Sequence, residues 1–324
     1  MVTRSDVMRN ARQYLNIQGW SPSTDVHVFD PNDPSHTFHS AYEIAQAPVT
    51  PAQGQSRPME YDVMPYVFGG NDDFPTGIDS RSAFLMRIQN GVCPGGWDRT
   101  TGQPTTHWYR DQPNGLGYGY HVARNLAGID CSGYVSRSWG LRGKYGTSTL
   151  PNICLEIDRS ELKEGDILNR RGRHVRIFVN AVGSNQIRVC ESVGGGRQRS
   201  YRPGDEIGRV VDHVINWDEN YTPLSPFPQF SEFTPAPATY ARAENPRPEI
   251  SVRCRGSGGV EIVAMGLNDA SIPFSGSSVS DGAAASYSPS GDLPAGRYKV
   301  TVTAINHIAK TSFRDEFSWE FDLV

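Results

Sequence analysis

The stretch Gly128-Ile129-Asp130-Cys131-Ser132-Gly133-Tyr134-Val135 constrains this chain more than any other. An apolar approach gives way to Asp-Cys-Ser-Gly, after which Tyr134, Val135, Ser138 and Trp139 recur at helical spacing. Cys131 therefore falls where a loop turns into a helix. Asp130 or Ser132 can cap the open amides, and the small neighbours let another group approach the sulfur. A thiol in the first turn lies near the positive end of the helix dipole, which favours the nucleophilic thiolate. An unpaired cysteine is also commonly just a small buried hydrophobe, so a catalytic reading needs more parts.

Those parts follow downstream. Leu162 to Leu168 reads as a turn, Gly165-Asp166, entering a strand, and His174-Val175-Arg176-Ile177-Phe178-Val179 alternates as a strand that opens on histidine. His174, Arg176 and Phe178 share one face, while Val175, Ile177 and Val179 share the face expected to meet the core. A further strand, Gln186 to Glu191, ends on a carboxylate, and Cys190 beside it should point into the core. Cysteine, histidine and an orienting acid, in that order, are the components of an activated thiol nucleophile. Asn180 and Ser192 are the nearest alternatives to Glu191 as orienting group.

Asp130-Cys131-Ser132-Gly133, Gly165-Asp166 and His174-Val175 together resemble the NlpC/P60 cysteine peptidases and the related CHAP amidases. Met64-Pro65-Tyr66-Val67-Phe68-Gly69-Gly70 is similar to the Pro-Tyr-x-x-Gly-Gly segment of that family, whose tyrosine lies beside the nucleophile. Residues 4–15 match the helix that normally precedes it, so the resemblance spans residues 1–218. It implies an α+β, papain-like core that hydrolyses amide bonds in the stem peptides of bacterial peptidoglycan. Cys131 is then the nucleophile, His174 the base and Glu191 the orienting acid. Tyr66, Asp130, Ser132, Arg173 and Arg176 are the candidates for contacting substrate. Two departures stand out: residues 71–127 fill what is a short link in the family, and glutamate at the third position is more like the CHAP relatives. The same thiol site also suits acyl transfer to an amine, and a non-catalytic surface-binding or adhesion protein is the alternative of another class.

At 324 residues the chain is long enough for two domains or one with large insertions. Its formal charge of −4 gives no sign of nucleic-acid or membrane affinity, and no apolar run is long enough to span a bilayer. Cys93, Cys131, Cys154, Cys190 and Cys254 form no Cys-x-x-Cys pair, and His36 with His39 has no third ligand placed by spacing. No metal or other cofactor is expected. The opening Met1 to Asp6 shows no signal-peptide core, although the substrate implied by the resemblance puts the protein outside the cell or in its envelope.

Residues 4–15 are expected to form a helix capped by Thr3 or Ser5, and residues 20–58 a Pro-bearing polar insertion with little regular structure. A short helix should run from Ile78 or Ser80 to Gln89. Gly91 to Tyr120 carries Trp97, His107, Trp108, Tyr109, Tyr118 and Tyr120, suited either to a lid over Cys131 or to pinning a long insertion. Arg170, Arg171, Arg173 and Arg176, then Arg197, Arg199 and Arg202, form a basic cluster around His174 that suits acidic peptides. Residues 219–249 hold seven prolines and are expected to be an extended linker, which would make the remainder dispensable for chemistry. From residue 250 to 324 the periodicity is two, as a small β-sandwich requires. Leu293 to Val302 resembles the late strands of bacterial immunoglobulin-like modules, which are as often spacers or docking partners for a surface or another protein as carbohydrate binders.

Overall fold

Thr3 starts the first helix, α1 (Arg4–Gln13). Its hydroxyl accepts a hydrogen bond from the Asp6 amide at 3.2 Å, and the Asp6 carboxylate accepts one from the Thr3 amide at 3.0 Å. This reciprocal pair satisfies two amides that the helix itself leaves open, and Val7, Met8 and Ala11 then bury one stripe. The computed structural model describes residues 1–15, 17, 28–30, 33–39, 64–67, 70–71, 83–89, 93–94, 97–98, 103–104, 126–194, 209–238, 240–241 and 245–324.

Among the described residues six short strands precede residue 128: β1 (Val28–Asp30), β2 (Asp33–His39), β3 (Cys93–Pro94), β4 (Trp97–Asp98), β5 (Gln103–Pro104) and β6 (Leu126–Ala127). β1 and β2 pair antiparallel, with Val28 opposite Phe38, inside the stretch expected to lack regular structure. The β-forming Val28, Phe29, Thr37 and Phe38 outweigh the nearby prolines there. The short helix expected before Gln89 runs from Ala83 to Gln89. Of the aromatic loop, His107, Trp108, Tyr109, Tyr118 and Tyr120 lie outside the described residues, as do Arg197, Arg199 and Arg202.

The central sheet holds β7 (Leu155–Glu156), β8 (Ile167–Arg170), β9 (His174–Ala181), β10 (Gln186–Val193), β11 (Arg209–Asn216) and β12 (Thr222–Ser225). Its order is β11-β10-β9-β8-β12-β7, and all its pairs are antiparallel. Alternation sends Val175, Ile177 and Cys190 to the face that packs on α1 and on the helix Cys131–Ser138. Leu168, Phe178, Ile187, Val189 and Tyr221 form a second apolar cluster on the other face.

The remaining strands are β13 (Gln229–Thr234), β14 (Tyr240–Ala241), β15 (Ile250–Arg255), β16 (Gly259–Leu267), β17 (Ala270–Ser271), β18 (Ser275–Val279), β19 (Gly282–Tyr287), β20 (Gly296–Ile308) and β21 (Thr311–Leu323). They form two sheets, β13-β15-β19-β18 and β14-β21-β20-β16-β17, antiparallel except where β14 joins β21. Val252, Met265, Val300, Trp319 and Phe321 fill the space between them.

This architecture corrects the expected α+β, papain-like core with its appended immunoglobulin-like sandwich. Among the described residues strands account for 49% and helices for 15%, in three main antiparallel sheets with only three α-helices. Among the described residues α-helix is confined to Arg4–Gln13, Ala83–Gln89 and Cys131–Ser138, and strands make up most of the rest of the regular structure.

The described part of residues 219–249 is not an extended linker. β12 lies inside the central sheet and β13 inside the next one, because Leu224 and Phe227 between the prolines are buried apolar side chains. The tip of the β20–β21 hairpin also reaches the central core. Phe313 meets Trp139 at 6.0 Å and Phe227 at 5.4 Å between ring centroids, both edge-on. Val2 clamps the same hairpin, donating to the Ser312 carbonyl at 2.8 Å and accepting from the Arg314 amide at 2.9 Å. The C-terminal sheets are therefore part of the body that carries Cys131. Among the described residues no helix is long and apolar enough to cross a membrane.

Candidate active site

Asp130 is the N-cap of the Cys131 helix. Its Oδ1 accepts the Gly133 amide at 2.6 Å and the Ser132 hydroxyl at 3.0 Å, and the Lys144 ammonium pairs with its Oδ2. Asp130 and Ser132, both buried, are thus occupied in forming the turn that presents Cys131. Lys144 also donates to the Gly70 carbonyl at 3.3 Å.

The helix start is pressed against Pro65, Val67 and Gly70. Ile129 donates to the Pro65 carbonyl at 3.0 Å, Asp130 to the Gly70 carbonyl at 3.1 Å, and Val67 to the Ile129 carbonyl at 3.2 Å. Glycine is required at the contact, since a Cβ on Gly133 would lie 2.3 Å from the Gly70 carbonyl oxygen. This close approach brings Tyr66 beside Cys131. Burial, and then the charges of Cys131 and Asp130, push the Tyr66 hydroxyl well above its ordinary value.

The Cys131 residue is only 7% exposed. Burial and then the Asp130 charge push its thiol up to about 12, against the pull of the Val175 amide, the Lys144 charge and the Ser132 amide. The helix dipole alone favours thiolate, but at Cys131 desolvation outweighs it and favours the neutral thiol.

His174 opens β9, one residue before the amide that donates to the sulfur. Its Nε2 binds Glu191 Oε2, and the Tyr221 ring stands edge-on to it at 6.4 Å. Glu191 has a side chain only 2% exposed, yet it is anchored three times. Besides His174, Arg176 Nε donates to Oε2 at 2.9 Å and His213 Nε2 donates to Oε1 at 2.6 Å. Burial pushes the Glu191 carboxyl up. The hydrogen bonds from His174 and His213, with the charges of His174 and Arg176, outweigh it and hold the group well below the usual carboxylate range. An ionised carboxylate is acceptor-only, so the His174 Nε2 that binds Glu191 Oε2 carries a hydrogen.

The structure thus brings His174 and Glu191 together and sets the backbone beside His174 on the Cys131 sulfur. Among the described residues no hydrogen bond joins that sulfur to the His174 ring. Ser192 donates to the Ile129 carbonyl at 2.9 Å and Asn180 to the Ala181 carbonyl at 3.1 Å, so both alternatives to Glu191 are turned elsewhere. Arg176 sits on Glu191 with its guanidinium 4.2 Å from the Tyr221 ring centroid, whereas Arg173 is exposed at the β8–β9 turn. His213 and Lys144 were not legible from the sequence as parts of the site. The strand register pairs Val189 with His213, and no local motif announces it. No model of a known protein family matches this chain, and no protein of curated function does so either.

Proposed function

We propose that this protein is a cysteine amidase or peptidase that hydrolyses amide bonds in peptidoglycan stem peptides, as a relative of the NlpC/P60 and CHAP enzymes. The observation that carries the reading is the Glu191–His174 pair next to the backbone amide that touches the Cys131 sulfur. His174 Nδ1 takes the thiol proton as sulfur attacks the scissile carbonyl carbon. The Cys131 amide at the helix start and the Tyr66 hydroxyl face the developing oxyanion. Its collapse breaks the C–N bond, His174 returns the proton to the leaving amine, and water then hydrolyses the thioester. The substrate class rests on the sequence resemblance and on the basic Arg170–Arg173 turn beside His174. It places the protein in the cell envelope or outside the cell.

The test is digestion of purified wall fragments by the wild type and by Cys131→Ala, with mass spectrometry of the products. Cleaved stem peptides from the wild type alone support the reading, and intact fragments with both overturn it. Adding a primary amine to the same digests separates hydrolysis from acyl transfer by the mass of the product.

A further inference from the structure

Glu191 lies on β10 between two partners that the sequence does not link. On one side β9 supplies His174 and Arg176; on the other β11 supplies His213. The division between the two carboxylate oxygens is uneven. His174 and Arg176 both bind Oε2, and among the described residues His213 is the sole partner of Oε1. The terminal torsion of a glutamate is broad and nearly two-fold, so a carboxylate held through one oxygen can turn and exchange its oxygens. A donor on Oε1 removes that freedom.

We infer that His213 is a positioning residue for the nucleophile system: by holding Oε1 it locks the Glu191 carboxylate so that Oε2 stays aimed at His174. This rests on the amidase reading for its kinetic consequence but not for its geometry. When His174 takes the Cys131 proton, the imidazolium needs a carboxylate already in place, because turning it during the step adds to the barrier. His213 is also the member of the set that can be changed with least damage. Its side chain is 43% exposed, against 21% for His174 and 19% for Arg176, so water reaches the vacated position and Arg176 still neutralises the buried charge.

The test uses the full chain with His213→Gln, His213→Asn and His213→Ala. A glutamine amide nitrogen reaches nearly as far from the backbone as histidine Nε2, whereas that of asparagine stops about one bond short. The two amides are alike in polarity, so a general structural effect does not separate them. On soluble muropeptides, His213→Ala and His213→Asn should lower kcat about 10- to 100-fold with KM within about twofold, and His213→Gln should recover most of kcat. Independently of turnover, the His174 Nε2 proton should give a sharp downfield NMR resonance in the wild type and His213→Gln. It should broaden or vanish in His213→Ala and His213→Asn. Wild-type kcat and an unchanged resonance in His213→Ala overturn the inference, as does equal loss in the Gln and Asn variants. Should the wild type cleave nothing, the amidase reading falls, and the resonance alone decides the role of His213.

Discussion

Replacing Arg4 with methionine removes the cation at the centre of the body while keeping most of its apolar stem. Arg4 Nη1 donates to Asp166 Oδ1 at 2.9 Å and to the Glu164 carbonyl at 2.9 Å, and its Nε donates to Asp315 Oδ2 at 2.8 Å. One side chain thus ties α1 to the turn before β8 and to β21, and its guanidinium lies 4.2 Å from the Phe227 ring centroid. Asp166 is fully buried, and after the substitution only the Ser225 hydroxyl at 2.6 Å and the Lys163 amide at 2.8 Å remain to it. Breaking a buried ion pair by removing one partner costs about 3–5 kcal/mol, because the other charge is left behind. The pH dependence follows from the direction of the Asp166 shift. Burial raises its carboxyl above the ordinary value even with Arg4 pulling it down, so its contribution to stability is greatest at low pH and is lost as pH rises through the folded value. Without Arg4 the folded value rises further and that loss grows. Urea unfolding of the wild type and Arg4→Met should therefore differ by about 3–5 kcal/mol near neutral pH and by clearly less in mild acid. Arg4→Met with Asp166→Asn should recover part of the loss. A difference below about 1 kcal/mol, or one independent of pH, would refute the reasoning.

Glu191→Gln should lower kcat about 10²- to 10⁴-fold with little change in KM, since an amide supports an imidazolium far less than a carboxylate does. Steady-state kinetics check this; wild-type kcat there, with a large loss in Ser192→Ala, would move the orienting role to Ser192. A maleimide or iodoacetamide probe should reach Cys131 before Cys190 or Cys254, because the three thiols are all pushed up to about 12 and only Cys131 has any exposure. Its labelling rate should rise about tenfold per pH unit from neutral upward, as the thiolate fraction does. Fast labelling that is flat down to mild acid would instead mean a preformed thiolate–imidazolium pair. A chain ending at Asn220 should fail to fold, because it lacks Leu224, Phe227, Ile308 and Phe313 from the central core. A cooperative unfolding transition and wild-type activity in that truncation would contradict the shared core.

What the sequence disclosed was local. The Thr3 cap, the helix opening at Cys131 and the alternation that puts His174 and Cys190 on opposite faces from their neighbours all depend on spacing within a few residues. Where long-range packing decides, the sequence misleads. The prolines of residues 219–249 suggest an extended linker, yet Leu224 and Phe227 between them are buried, and burying such side chains contributes about 1.5–3 kcal/mol each. His213 escaped notice because only the β10–β11 register brings it to Glu191. The environment of the Cys131 thiol is divided in the same way: the helix end is visible in the motif, whereas the enclosure that pushes the thiol up is built by segments distant in sequence. The α+β expectation came from resemblance, and it gave way to the predominance of strands.

The central claim is that Cys131 forms an acyl-enzyme with a wall stem peptide. Rapid mixing with purified muropeptides, an acid quench and intact-protein mass spectrometry test it directly, with peptide mapping to place any adduct. The account predicts a transient mass increase equal to the acyl half of the cleaved peptide, mapped to Cys131 and absent in Cys131→Ala. Cleavage that proceeds without an adduct and persists in Cys131→Ala would contradict it.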